Sequence, residues 1–141
     1  MDAYARRRRL HRRHRPLGQP PDTRRYGGPG SGLWRSADGG ASWQKLEGLV
    51  YGLPSGPNVG RIGVAVAPSR PNMVYAGYTD AIGNTLGTFR TVDGGDTWTQ
   101  VSNAETVSYG WWFGQIRVDP TDWRRVWVPW LNLYRSTTSG N

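Results

Sequence analysis

The chain has no cysteine, no long apolar run and no segment with sustained helical periodicity. The lack of cysteine excludes disulfides and thiolate chemistry within these residues, but it leaves the compartment open because many exported bacterial proteins also lack cysteine. No apolar run approaches the ~20 residues of a membrane-spanning helix, and no charged start is followed by the apolar core of a secretory signal. If this chain is part of a secreted or periplasmic protein, the signal of that protein is therefore expected to lie outside these residues.

Lysine and acidic residues are also scarce, since Lys45 is the single lysine among 18 basic side chains and only ten side chains are acidic. Residues 1–25 hold nine arginines against two aspartates, so this stretch carries +7 of the net charge of +8. The rest of the chain is nearly neutral, which argues against a basic nucleic-acid groove across it. Residues 1–27 have almost nothing to bury and are predicted to be a disordered Arg-rich tail. A solvated tail, or a start-site or reading-frame artefact, explains them better than a nucleic-acid or membrane-surface arm.

After the Arg-rich residues, the chain contains a motif that recurs with the same internal spacing and indicates the fold. Gly32–Leu46 reads GLWRSADGGASWQKL and Gly87–Val101 reads GTFRTVDGGDTWTQV, so an aromatic, an Arg, a hydroxyl residue, Asp-Gly-Gly, a second hydroxyl residue and a Trp recur in register. A third copy begins with NLYRS at Asn132 and then has Thr138 and Ser139 in place of the Asp and the first Gly. Repetition of this kind predicts stacked structural units.

Each copy predicts a hairpin whose tight turn is formed by Asp-Gly-Gly and the residues up to the Trp; we call this turn the corner. Glycine reaches positive φ without a Cβ clash, and the Asp carboxylate is expected to accept hydrogen bonds from N–H groups of the corner. The Trp begins the returning strand, where its ring can cover the hairpin. The predicted structural residues are Asp38, Gly39, Gly40, Trp43, Asp93, Gly94, Gly95 and Trp98. The motif resembles the Asp-box, or bacterial neuraminidase repeat, of sialidases, sortilin-type receptors and several glycoside hydrolase families.

The remaining pattern predicts an all-β chain. Short alternating segments between Gly, Pro and Asn predict strands near residues 32–36, 42–46, 61–66, 73–78, 87–91, 97–101, 114–118, 125–129 and 132–136. A Pro turn between two strands occurs at 67–76 and again at 119–128. Four antiparallel strands in a period of ~40–55 residues are typical of a β-propeller blade. Residues 28–141 are therefore predicted to form about two to two and a half blades of an incomplete propeller, with the remaining blades of a parent protein as their partner.

The resemblance to an Asp-box propeller implies two opposite loop faces. The Pro turns and corners lie on one face, and the loops 47–60, 79–86, 102–113 and 129–131 lie on the other, where ligand sites usually gather. Candidate catalytic carboxylates on this loop face are Glu47, Asp80 and Glu105. Candidates for stacking on a sugar and hydrogen bonding to it are Tyr109, Trp111, Trp112 and Gln115. Packing between blades is the alternative for these rings, and it is the preferred interpretation for Trp123 and Trp127.

Residues 61–68, 71–76 and 109–120, together with the corners, resemble bacterial repeat-containing glycosyl hydrolases related to xyloglucan-cleaving endoglucanases and to the sortilin propeller. This resemblance implies a fragment of a glycoside hydrolase that acts on or binds polysaccharide, with no cofactor. No xyloglucanase catalytic motif is found, and inverting hydrolysis needs two carboxylates ~6.5–9.5 Å apart, so the fragment alone is expected to be inactive.

The alternative function is a non-catalytic propeller for protein–protein interaction, as in sortilin-type receptors and assembly factors. Nucleic acid is not an expected partner. A metal or nucleotide site has no support, because His11 and His14 both lie in residues 1–27 and no phosphate-binding loop occurs.

Overall fold

A computed structural model describes residues 27–103, 114–129 and 133–139, together with the backbone of residues 3–5. Within these ranges the chain forms strands and turns, and no helix is present that is long and apolar enough to cross a membrane. The strands are β1 (Ala3–Ala5), β2 (Leu33–Ser36), β3 (Gln44–Leu46), β4 (Val59–Val66), β5 (Val74–Asp80), β6 (Thr85–Thr91), β7 (Thr99–Ser102), β8 (Arg117–Val118), β9 (Val126–Pro129) and β10 (Leu133–Ser136). The all-β prediction is confirmed, and every strand expected from the sequence is present with slightly shifted ends.

The strands form three antiparallel sheets, which we call blades 1, 2 and 3. Their strand orders are β1-β2-β3, β4-β5-β6-β7 and β10-β9-β8. Blade 2 is a complete four-stranded unit, in which each strand pairs with the next one along the chain. A meander of this kind follows from short alternating strands joined by Gly- and Pro-containing turns.

The hydrophobic cores lie between blades. One core joins blades 1 and 2 through Leu33, Leu46, Leu53, Val59, Ile62, Val74, Ala76, Tyr78, Phe89 and Trp98. The other joins blades 2 and 3 through Ala67, Met73, Tyr75, Ile116 and Val126. Successive side chains of a strand point to opposite faces, so β5 contributes to both cores and all seven of its residues are buried. Each blade is therefore stabilised mainly by the blade beside it.

Strand β1 differs from the expectation for residues 1–27. It pairs with β2 so that Tyr4 is opposite Arg35, just as Tyr75 is opposite Arg90 in blade 2. The sequence Ala3-Tyr4-Ala5 is similar to Val74-Tyr75-Ala76, and the edge of β2 offers backbone groups that such a segment can pair with. The expected disorder is thus wrong at these three residues. Residues 6–26 lie outside the described part of the chain, where disorder stays a prediction.

Candidate functional site at the corners and the loop face

The corner of blade 2 is held by a closed set of hydrogen bonds. Thr91 Oγ1 donates to Asp93 Oδ1 at 2.6 Å and accepts from the N–H of Gly95 at 2.9 Å. Asp93 Oδ1 also accepts from the N–H of Thr97 at 3.0 Å, and the Thr97 hydroxyl donates to Asp93 Oδ2 at 2.6 Å. Trp98 Nε1 donates to the Gly95 carbonyl at 3.2 Å. The polar groups of the repeated motif therefore bind one another.

The corner of blade 1 repeats this geometry. Ser36 Oγ donates to Asp38 Oδ1 at 2.8 Å, the N–H of Ser42 donates to the same oxygen at 2.9 Å, and Trp43 Nε1 donates to the Gly40 carbonyl at 3.1 Å. The two glycines of each corner have positive φ, at 71° and 99° in blade 1 and at 76° and 101° in blade 2. A side chain with a Cβ is disfavoured in this conformation, which explains the paired glycines.

A third corner forms although its motif has diverged. Ser139 has a φ of 66° at the position that Gly39 and Gly94 hold in the other corners. Its N–H donates to the Arg124 carbonyl at 3.1 Å, as the N–H of Gly94 donates to the Asn72 carbonyl at 3.0 Å. The backbone shape of the corner thus persists after the Asp and the first Gly have been replaced.

The corner carboxylates are strong acceptors and poor proton donors. Hydrogen bonds from the Ser42 hydroxyl, the Ser42 N–H and the Ser36 hydroxyl lower the pKa of Asp38 far below its usual value. Burial alone would raise the pKa of Asp93, but hydrogen bonds from Thr91, Thr97 and backbone N–H groups outweigh burial and lower it. Both carboxylates are therefore charged at neutral pH. They accept hydrogen bonds that stabilise the turn, and they are poorly suited to proton transfer.

Acid is expected to destabilise the chain through these two aspartates. Because the folded pKa of each lies below its unfolded value of ~3.9, the unfolded chain binds protons first and stability is lost as the pH falls below about 4. Thermal unfolding between pH 6 and pH 3 should show this loss, and Asp93→Asn should make it less steep. Asp122→Asn, outside the blade 1 and blade 2 corners, is the matched control. An unfolding midpoint that does not change with pH would contradict this assignment.

The loop face lies at the opposite ends of the strands. The starts of β4 and β6 and the ends of β5 and β7 meet there, because the order is antiparallel. Glu47 follows β3 and Asp80 ends β5, so both belong to this face as predicted from the strand order. Glu105, Tyr109, Trp111 and Trp112 lie outside the described residues, and their roles stay predictions.

Asp80 is engaged in its own turn. It is buried, its Oδ1 accepts N–H groups from Ile82, Gly83 and Asn84 at 2.7–3.0 Å, and its Oδ2 accepts from Asn84 Nδ2 at 2.8 Å. These four bonds hold the connection between β5 and β6. A carboxylate in this setting is an Asx-type turn group.

Glu47 is engaged with a neighbouring cation. Its Oε2 lies 2.7 Å from Lys45 Nζ, and its side chain is partly exposed. Burial, with a smaller contribution from the Glu47 charge, raises the pKa of Tyr78. Within the ranges that the structure describes, no three His, Asp or Glu side chains cluster as a metal site requires.

Gln115 directly precedes β8 of blade 3, at the point where the backbone of blade 3 approaches β4 of blade 2. Its side chain is exposed, and Oε1 accepts from Arg117 Nη2 at 2.9 Å. The preceding residue, Gly114, packs against Gly63 of β4 so closely that a Cβ on Gly63 would meet its carbonyl. An exposed amide beside this seam can hydrogen bond to a ligand that enters from the loop face.

Two arginines that the sequence did not identify as functional connect the blades. Arg35 Nη1 donates to the Gly94 carbonyl at 3.0 Å, and Arg90 Nη1 donates to the Ser139 carbonyl at 3.1 Å. The recurrence of Arg in every copy of the motif was the available signal. Trp123 packs against the core between blades 2 and 3, with the guanidinium carbons of Arg70 and Arg124 at 5.2 and 4.6 Å from its ring centroid. The packing prediction for Trp123 is confirmed.

No protein-family model and no curated protein matches this chain. Among solved structures, it is similar to the crystal structure of a GH74 xyloglucanase from Xanthomonas campestris, with a TM-score of 0.58 and 21% identity over 80% of this chain. This chain has the fold of part of a β-propeller. A GH74 enzyme from Niastella koreensis gives a TM-score of 0.57 and 20% identity over 82% of this chain. The chain spans 17% and 18% of the lengths of these two structures, so the predicted incomplete propeller is confirmed.

Proposed function

We propose that this chain is part of a glycoside-hydrolase-like propeller that binds polysaccharide on its loop face. The observation that carries the proposal is the likeness in fold to two GH74 structures, one of them a xyloglucanase. The proposal gives the repeated corners the structural role of Asp-boxes. Their hydrogen bonds and lowered pKa values support this role, because charged acceptors that are already paired suit a turn better than proton transfer.

The proposed sugar site comprises Gln115 and the neighbouring Tyr109, Trp111 and Trp112. Gln115 provides an exposed amide at the seam between β4 and β8, and the three rings precede it in the sequence by a few residues. A pyranose presents an apolar face that stacks on an aromatic ring and hydroxyls that bind to amides, so this combination suits a glycan.

Binding by this chain is favoured over catalysis by this chain alone. Glycoside hydrolysis usually requires two carboxylates. Glu47 is paired with Lys45, and Asp80 accepts four hydrogen bonds within its turn. The parent protein would have to supply at least one catalytic carboxylate from another blade or domain.

Titration calorimetry with xyloglucan oligosaccharides tests the site. Trp111→Ala or Trp112→Ala should weaken binding about three- to tenfold through the lost stacking contact. Trp43→Phe, on the opposite face, is the control and should leave the affinity unchanged. Unchanged affinity in both alanine variants would assign the rings to packing, and a lack of binding to xyloglucan and to a panel of β-glucans would refute the proposal.

A non-catalytic propeller for protein–protein interaction is the second candidate. The engagement of Glu47 and Asp80 by their own neighbours favours it, since a purely binding propeller needs no free carboxylate pair. Affinity capture with the purified chain would distinguish the two functions. A stoichiometric protein partner together with no measurable glycan binding would support this second function.

A further inference from the structure

Strand β4 contains a β-bulge close to its start on the loop face. In the pairing of β4 with β5, Gly60 and Arg61 together are opposite the single residue Thr79. Val59 and Ile62, on either side of the bulge, both enter the core with blade 1. Arg61 lies outside that core and is half-buried. Because a bulge re-aims the side chains of its strand, this one determines how β4 presents Arg61 at the loop face.

A buried hydroxyl fixes the backbone of the bulge. Thr79 is fully buried, and its Oγ1 accepts from the N–H of Arg61 at 2.8 Å and donates to the Arg61 carbonyl at 3.1 Å. A Cβ on Gly60 would clash with the Asp80 carbonyl, so glycine is required beside Arg61. Burying a hydroxyl is costly unless it is satisfied, and here both of its hydrogen bonds go to one residue. Thr79 thus holds Arg61 by its amide and by its carbonyl.

Arg61 and Gln115 belong to the same part of the loop face. Gly63 follows Arg61 by two residues, which span about 6.6 Å of strand. A Cβ on Gly63 would lie 3.3 Å from the Cα of Gln115. The guanidinium of Arg61 and the amide of Gln115 are therefore near enough for one sugar residue to contact both.

The polar side chains at this place are mainly hydrogen-bond donors. Gln115 Oε1 accepts from Arg117 Nη2 at 2.9 Å, so the acceptor of this amide is engaged and its Nε2 is the remaining donor. A guanidinium has five N–H donors and no acceptor, and it is always charged. Arg61, Arg117 and Nε2 of Gln115 therefore suit a ligand that has acceptors and negative charge. An ionised carboxylate is such a ligand, because it only accepts.

We propose that this part of the loop face binds an acidic polysaccharide, with the carboxylate of a uronic acid residue accepting hydrogen bonds from Arg61 and from the Gln115 amide. The inference rests on the proposed polysaccharide function and names its substrate class. Arg61 is the main contact, because a guanidinium can bind a planar carboxylate through two parallel hydrogen bonds. Thr79 is a positioning residue, since it acts on the ligand only through the backbone of Arg61.

A matched pair of oligosaccharides tests the role of the carboxylate. Titration calorimetry at low salt compares cellotetraose with the tetrasaccharide in which each C6 hydroxymethyl group has been oxidised to a carboxylate. The acidic form should bind about tenfold more tightly, the gain from one hydrogen-bonded ion pair. This preference should shrink as NaCl is raised, because salt screens charges that solvent reaches.

Variants of Arg61 test which residue gives the preference. Arg61→Gln should abolish it, so that both oligosaccharides bind with similar affinity. Arg61→Lys should retain part of it, because lysine keeps the charge without the planar fork. Arg70→Gln is the matched control, since it removes the same charge from an exposed arginine in the Pro turn at 67–76, on the opposite face. It should keep the wild-type preference.

Variants of Thr79 test the positioning role. Thr79→Val keeps the size of the side chain and removes the hydroxyl, so the preference should fall about threefold or more. Thr79→Ser keeps the hydroxyl and should retain the preference. The ratio of the two affinities is the measurement, because a general loss of structure would weaken both oligosaccharides alike. Circular dichroism of each variant establishes that the sheets are intact.

The outcomes separate this inference from the proposed function. Equal affinity of the wild-type chain for the two oligosaccharides would overturn the inference and leave polysaccharide binding in place. Binding of neither would refute the proposed function, and this inference with it. A preference that survives Arg61→Gln would overturn the assignment of the carboxylate to Arg61.

Discussion

Replacing Tyr75 with alanine is expected to lower the free energy of unfolding by about 3–5 kcal/mol, the range for truncating a buried aromatic side chain. Tyr75 is fully buried in β5, where it packs in the same core as Ile116 and Val126 of blade 3. Its hydroxyl donates to the Trp123 carbonyl at 2.9 Å, so the ring and the hydroxyl both connect blades 2 and 3. Domains of this size have a total stability of about 5–15 kcal/mol, so the loss should be evident in urea unfolding followed by tryptophan fluorescence.

Two conservative variants separate the ring from the hydroxyl. Tyr75→Phe keeps the packing and removes one hydrogen bond, at a cost of about 0.5–1.5 kcal/mol. Tyr78 is also fully buried in β5, but it faces blade 1 and its hydroxyl has no hydrogen-bond partner among the described residues. Tyr78→Phe should therefore be neutral or stabilising. Equal losses in the two phenylalanine variants would contradict this account of the two blade contacts.

Gly63→Ala should destabilise the chain by about 1–3 kcal/mol, the usual cost of overpacking. A Cβ at this position would clash with the carbonyl oxygen of Gly114, so β4 and the backbone at Gly114 would have to separate. Because both contacting groups are fixed to backbone, no side-chain rotation relieves the clash. Thermal unfolding measures the loss, and limited proteolysis should show easier cleavage near Gly114.

Gly77 provides the matched control, because it is directly opposite Gly63 in the pairing of β4 and β5. A Cβ on Gly77 would meet nothing within 4 Å. Gly77→Ala should therefore stabilise the chain by about 0.4–1 kcal/mol, since alanine restricts the unfolded chain without a clash in the folded one. Opposite signs for two paired glycines are the expected result, and losses of similar size would refute the close approach at Gly114.

The sequence predicted the features that depend on neighbouring residues. All groups of a corner lie within a few positions of its aspartate, so the motif from Thr91 to Trp98 was sufficient to predict the turn and its hydrogen bonds. Strand alternation and the Pro turns were likewise local signals. The links made by Arg35 and Arg90 were missed because they join residues 59 and 49 positions apart, and no local pattern identifies such an acceptor.

The positions of the loop-face residues Asp80 and Gln115 could be predicted from the sequence, but their contacts were not predicted. Asp80 was selected because it lies on the loop face, and the structure places it there. The hydrogen bonds from Gly83 and Asn84 to Asp80 are local, because both donors lie within four residues of the carboxylate. The position of Gln115 was predicted from strand order alone. The close approach of its backbone to β4 is possible only because Gly63 has no side chain.

Strand β1 changes the choice of a shortened protein for laboratory work. β1 and β2 are hydrogen-bonded neighbours in one sheet, although the Arg-rich stretch separates them in the sequence. A version that starts at Gly28 would remove the neighbour of β2 and leave a row of backbone amides and carbonyls open to other molecules. Trimming the chain to improve its solubility would therefore promote its precipitation.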